Sequence, residues 1–168
     1  ACRRDADPLT PAGAYHRRMP EIEFAFLADA ADAGPGRKFS VIGGGVSRIG
    51  GPSFPLRHPH LALVVSIVIT AAEFEREHEL SFRLLAANGR EIATAASNLT
   101  AHGTPDGSDT TLTFAVDFWN LAFEAPGDHS FRILVNGSER KRLPLTVIRS
   151  SEGGTMPLTP PPGQKYQA

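Results

Sequence analysis

One cysteine, Cys2, occurs in 168 residues, so the chain can form no internal disulfide and no cysteine-based zinc site. Neither sign of charge dominates. Lys and Arg total 17 against 18 Asp and Glu, a formal net charge of −1. That balance excludes the basic surplus of a nucleic-acid clamp and offers no polybasic patch to a membrane. Long apolar runs are missing too: the longest, Leu61 to Ile69, is less than half of the roughly 20 residues that a membrane-spanning helix needs. The basic pairs Arg3-Arg4 and Arg17-Arg18 precede no uninterrupted apolar segment, because Glu21 and Glu23 fall where a secretory signal would run. The expected compartment is the cytoplasm, with neither nucleic acid nor membrane as a partner. The triplets Asn98-Leu99-Thr100 and Asn136-Gly137-Ser138 match the glycosylation pattern. That pattern matters only in a secreted eukaryotic chain, and here it is read as coincidence.

What is present suffices for one domain with tails. Hydrophobic residues make up 41% and charged residues 21%, which excludes wholesale disorder. Residues 1–19 form a flexible basic arm with no Met before Met19, read as an upstream extension. Residues 150–168 are rich in Pro, Gly, Ser and Thr, the composition of a disordered tail, and Pro160-Pro161-Pro162 favours polyproline II. The folded unit spans residues 20–149, with 12 basic against 15 acidic residues, a balance of −3.

Within that unit the hydrophobic period is two, the period of strands. Ile22, Phe24, Phe26 and Ala28 alternate with Glu21, Glu23, Ala25 and Leu27, which predicts one half-buried strand with the first four on its core face. Leu61, Leu63, Val65, Ile67 and Ile69 share one face of a long strand. Its other face, Ala62, Val64, Ser66 and Val68, is nearly as apolar, so the strand should be central. Leu80, Phe82 and Leu84 lead into Asn88-Gly89, and Ile92, Thr94 and Ala96 return. Leu112, Phe114, Val116 and Phe118 line a further strand. After Pro126-Gly127, Phe131, Ile133 and Val135 lead into Asn136-Gly137, and Leu143, Leu145 and Val147 close the pattern. Asn-Gly between alternating runs marks a hairpin, because its central residues take positive φ. Helix is confined to two short candidates, Asp29–Asp32 and Ala71–Glu77. The expected fold is all-β: an antiparallel β-sandwich of about eight strands, immunoglobulin-like or related, with disordered termini.

Several short segments carry a resemblance. They are Phe26-Leu27-Ala28-Asp29-Ala30, Val41-Ile42-Gly43-Gly44-Gly45, Pro52-Ser53-Phe54-Pro55 and His58-Pro59-His60-Leu61, followed by Asn88-Gly89, Pro126-Gly127 and Leu143-Pro144. With them, residues 20–148 resemble a family of small uncharacterised bacterial proteins known only as a domain of unknown function. The resemblance implies a β-sandwich and brings no activity, catalytic residue or partner.

The glycines at 43–45 and 50–51 fail the phosphate-loop patterns: residue 48 is Arg, and no Gly-Lys-Ser/Thr follows. They predict instead a strand that bends sharply, and the loop over 43–55 could still rim a ligand groove through Gly44, Gly45 and Arg48. His58 and His60, two apart on an extended segment, point to one side, as in the metal-binding pair of cupins. His102 and His129 could complete a transition-metal site. No Glu follows at the cupin spacing, and Pro59 interrupts the strand, so polar residues satisfied by backbone carbonyls are the preferred reading. Gly45-Val46-Ser47-Arg48-Ile49 lacks the final Gly of a nucleophile elbow. Glu73, Glu75, Glu77 and Glu79 are expected to share a solvated face. The stretch Ser97–Asp109, with Asp106 and Asp109, lacks a calcium-loop signature and is expected to be a hairpin tip. Trp119 is expected in the core; exposed at a rim, it would instead mark a sugar or peptide platform. No catalytic constellation converges, so the expected function is a non-catalytic binding or protein-interaction module without cofactor, its partner another protein or a second copy. The alternatives are a cupin-like metal enzyme or sensor and a self-assembling structural subunit.

Overall fold

A computed structural model of the chain describes residues 20–34, 38–104 and 106–150. The basic arm with Cys2 and the Pro-rich tail lie outside the described residues. Among those described, the elements in chain order are β1 (Glu21–Asp32), β2 (Ser40–Gly44), β3 (Arg48–Gly51), β4 (Leu56–Ile69), a 3-10 turn (Ala71–Glu73), β5 (Glu77–Leu85), β6 (Glu91–Thr100), β7 (Thr110–Phe123), β8 (Gly127–Val135) and β9 (Ser138–Arg149). They form two packed sheets, one of order β2-β1-β4-β7 and one of order β3-β9-β8-β5-β6. This is the expected β-sandwich, with nine strands.

β4 is central, as its two apolar faces require: Leu61 to Ile67 are buried without interruption. Its inward residues Leu61, Leu63, Val65 and Ile67 meet Phe82, Phe131, Ile133 and Leu145 of the opposite sheet. Phe118 of β7 packs edge-to-face on Phe131 at 5.1 Å. Each fully buried side chain of this size contributes about 1.5–3 kcal/mol.

The glycine run performs the predicted bend and carries the chain between sheets. Gly43 (φ 62°) and Gly45 (φ 88°) are left-handed, a region that glycine alone enters without steric cost. The amides of Gly45 and Val46 both donate to the Leu27 carbonyl. β3 then leaves β1's sheet and pairs in parallel with β9, from Arg48↔Thr146 to Gly51↔Arg149. The Asn136-Gly137 hairpin has both residues left-handed (φ 49° and 77°). At Asn88-Gly89 only Gly89 (φ 82°) is, in a longer connection closed by the Ala86 amide on the Arg90 carbonyl.

Four expectations are corrected. β1 changes face: Ile22 pairs with Ile67, but Phe24 pairs with Ser66, so Glu23 is an extra residue in a bulge. Beyond it Ala25 and Leu27 point into the core, while Phe24, Phe26 and Ala28 point outward. There Phe24 stacks on Phe26 and lies tilted against Phe39, each at 6.0 Å. The four glutamates do not share one face: only Glu77 and Glu79 do, both exposed on β5. Glu73 is buried in the 3-10 turn, where its carboxylate accepts from the Thr70 amide and hydroxyl. Glu75 is left-handed (φ 58°) and bonds His102, and Glu77 accepts from Asn98 across the β5–β6 ladder. Asp29–Asp32 is strand rather than helix, and β6 runs to Thr100, which shortens the polar loop to 101–109.

Among the described strands β7 is an edge, 14 residues long and uncharged from Thr110 to Val116. Between it and β6, the free edge of the other sheet, lies an apolar groove of about 320 Å³ lined by Leu80, Phe82, Leu99, Leu112, Phe114 and Val116.

Candidate functional site

An exposed constellation of mutually bonded side chains lies where β4 and β7 meet β1, on the face of the four-stranded sheet turned away from the core. β4 and β7 pair His60 with Trp119 and Ala62 with Asp117, which sets those side chains next to one another. Pro59 has no amide to donate, and Asn120, beside Trp119, is left-handed (φ 53°). The β1–β4 ladder ends at Ala28↔Ala62, and the His60 side chain takes over one of its acceptors: Nδ1 lies 2.8 Å from the Asp29 carbonyl. His60 Nε2 lies 2.8 Å from the Asp117 carboxylate. Tied at both nitrogens, the ring stacks on Trp119 with centroids 4.0 Å apart and planes at 29°.

The expectation of a core tryptophan is overturned. Trp119 is 66% exposed, because the inward place on β7 falls to Phe118 and its neighbour points out. The indole is therefore wet on one face and clamped on the other. Asp117 is 45% exposed at its side chain, with one carboxylate oxygen committed to His60. Beyond His60, the Asp29 carboxyl lies against Gly43, leaving no room for a Cβ there.

The four histidines do not converge. His58 is near His60, but its Nε2 is buried without a partner among the described residues. Burial holds its imidazole below the ordinary 6.5, against the opposing pull of the His60 backbone and the Asp29 charge. His102 lies past the far end of β4, where its Nδ1 meets the Glu75 carboxylate at 3.0 Å. His129 belongs to the other sheet, buried edge-on against Phe123 at 5.1 Å, with Nδ1 2.9 Å from the Gly127 carbonyl. Among the described residues no three His, Cys, Asp or Glu side chains come together as a metal-binding group. The proposed groove rim is also dispersed: Gly44 and Gly45 are at the β2 edge and Arg48 is in the other sheet, away from Trp119.

Asp29, Asp117 and Asn120 escaped the sequence reading. No local pattern marks them, since each matters only through the β4–β7 and β1–β4 registers. Asp117 directly before Phe-Trp, as the one charge on an otherwise uncharged strand, is the only sequence signal that bears on them.

A nine-strand, two-sheet module with a clamped surface tryptophan is what fold and geometry define. Residues 23–148 match the family of unknown function DUF6941, and the chain belongs to that family. No curated protein matches it. Three solved structures similar to it are distant in sequence. The Pseudomonas fluorescens alkylpurine DNA glycosylase AlkC bound to DNA containing an abasic site analog is 14% identical, with a TM-score of 0.47 over 81% of this chain. The C-terminal domain of wzt is 12% identical, with a TM-score of 0.42 over 80% of this chain and 77% of its own. The Listeria innocua β-glucosidase in complex with glucose is 14% identical, with a TM-score of 0.37 over 74% of this chain. The chain spans 32% of the glycosylase and 16% of the glucosidase. No described helix is long and apolar enough to cross a membrane.

Proposed function

We propose that the protein is a non-catalytic binding module that engages its partner on the outer face of the four-stranded sheet, with Trp119 as the anchor. The observation that carries this reading is a tryptophan both exposed and immobilised. Most of its apolar surface remains in water, a cost of roughly 25 cal/mol per Å² that a bound partner would relieve. The His60 stack has already removed much of the rotamer freedom that binding would otherwise have to freeze.

Trp119 is the protein's single tryptophan, so its emission reports on this site alone. Titration with cell extract separated into peptide, polysaccharide and small-metabolite fractions should blue-shift that emission with one fraction. A chain whose emission responds to no fraction would refute the reading.

A second reading, self-assembly, has its own observation in the long, uncharged edge of β7, since such edges pair with other strands unless blocked. Light scattering tests it: a dimer weighs twice the 18.0 kDa of the chain, and Thr113→Lys on that edge should dissociate it.

A further inference from the structure

We propose that the partner is a glycan chain, neutral rather than anionic, lying along the outer side of β7 with one pyranose ring on the Trp119 indole. The inference rests on the binding-face reading above and names its ligand. A pyranose has a flat face of C–H groups and a rim of hydroxyls. It therefore needs an aromatic plane with hydrogen-bond acceptors at its margin. The exposed indole supplies the plane, and Asp117, two residues before it on the same side of the strand, supplies the acceptor. An ionised carboxylate accepts about four hydrogen bonds and donates none. His60 takes one of these at Oδ1, and the others are open to sugar hydroxyls, which always have a hydrogen to give.

The margin continues along the strand. Thr111, Thr113, Ala115, Asp117 and Trp119 pair with Val68, Ser66, Val64, Ala62 and His60 and share their outward side. From Thr111 to Trp119 is about 27 Å at 3.4 Å per residue, a stripe of small and hydroxylated side chains ending on an aromatic. Because β7 is an edge among the described strands, none of them walls off the stripe, and a chain longer than the stripe can run past it.

Two features favour a sugar over a protein partner. Protein hot spots sit at the centre of a dry apolar patch, whereas the neighbours of Trp119 along β7 are Asp117 and Asn120, both exposed. The other large exposed hydrophobics, Ile42 and Phe39, lie at or beside β2, which is three strands or about 14 Å across the sheet. The charge sign is set by the two carboxylates together: His60, whose ring nitrogens both face acceptors, can offset only one of Asp117 and Asp29, and the other leaves this face negative, which disfavours a uronate or sialate.

The test uses the full chain on a microarray of neutral and anionic glycans, followed by titration of Trp119 emission with the retained oligosaccharides. Retention on neutral glycans is expected. Trp119→Ala, an exposed position whose loss leaves the core intact, should weaken it by roughly tenfold or more. Asp117→Asn should weaken it several-fold, and Ile42→Ser should leave it unchanged. Far-UV circular dichroism checks that each variant folds. Retention only on anionic glycans, equal retention by Trp119→Ala, or no retention on any glycan would each overturn the proposal. If no glycan is retained while a peptide fraction shifts Trp119 emission, the binding face stands and the ligand class falls. If neither does, both fall.

Discussion

Removing a residue from the middle of a strand ordinarily moves every side chain beyond it to the wrong face, yet deletion of Glu23 should be tolerated. Glu23 is the extra residue in the β1 bulge, between Ile22↔Ile67 and Phe24↔Ser66. Without it the ladder runs regularly, Ile22 stays opposite Ile67, and Ala25 and Leu27 keep their places in the core. The loss is the bond at 3.0 Å from the Ser66 hydroxyl to the Glu23 carboxylate. Hydrogen bonds to charged groups contribute about 1.5–3 kcal/mol, and the restored ladder offsets part of that. Ser66 keeps its contact with the Thr113 hydroxyl at 3.1 Å. The net cost should be about 1–2 kcal/mol, a modest share of the roughly 5–15 kcal/mol of a domain this size. Deletion of Phe26 is the contrast. It too can be absorbed by consuming the bulge, but only by driving Phe24 into the place of Ala25. Overpacking of that kind costs about 1–3 kcal/mol, on top of the lost Phe24–Phe26 stack and the lost Glu23 bond. Urea denaturation read by Trp119 emission measures both. A Glu23 deletion that fails to fold, or a Phe26 deletion equally stable, would show that the bulge does not set the phase of β1.

At the sheet crossing, Gly43→Ala should cost more than Gly45→Ala. Both positions are left-handed, a strain of about 1–2 kcal/mol for an L-residue, but only at 43 would the new methyl strike the Asp29 carboxyl. Equal denaturation midpoints for the two variants would contradict this packing. The pH dependence of stability should carry a signature of His58. Its folded value is depressed below 6.5, first by burial, so the unfolded chain takes up a proton before the folded one does. Stability is therefore highest above pH 6.5 and falls as the pH drops toward the folded value, below which it levels off. His58→Gln should flatten that slope between pH 7.5 and 5.5 in urea titrations; an unchanged slope would assign it to other groups.

Much of the fold was legible in the residues because strand periodicity is local. The two-faced apolar run at 61–69 placed β4 at the centre of its sheet, and the glycines at 43–45 predicted a bend. The phase of β1 was not legible. Glu21, Ile22, Glu23 and Phe24 alternate perfectly, and only the pairing with β4 shows where an extra residue is absorbed. The same limit governed the site. His60 and Trp119 were both singled out, but separately, as part of a histidine cluster and as a core residue. Their stack follows from a register between strands almost sixty residues apart, which no periodicity encodes. The histidines misled for a related reason: shared chemistry suggested convergence, while the topology sends His129 to the other sheet and His102 to the far end of β4.

The sheet crossing also bears on the order of assembly. β5–β6 and β8–β9 are hairpins that can close as soon as their own residues are available, but among the described strands β3 pairs only with β9, roughly a hundred residues later, a separation that makes for slow pairing. During synthesis β3 must wait unpaired until nearly the whole sandwich has emerged, since domains complete their folding as units. Its brevity suits that wait. Four residues, two of them glycine, offer little apolar or strand-forming surface to a wrong partner in the meantime.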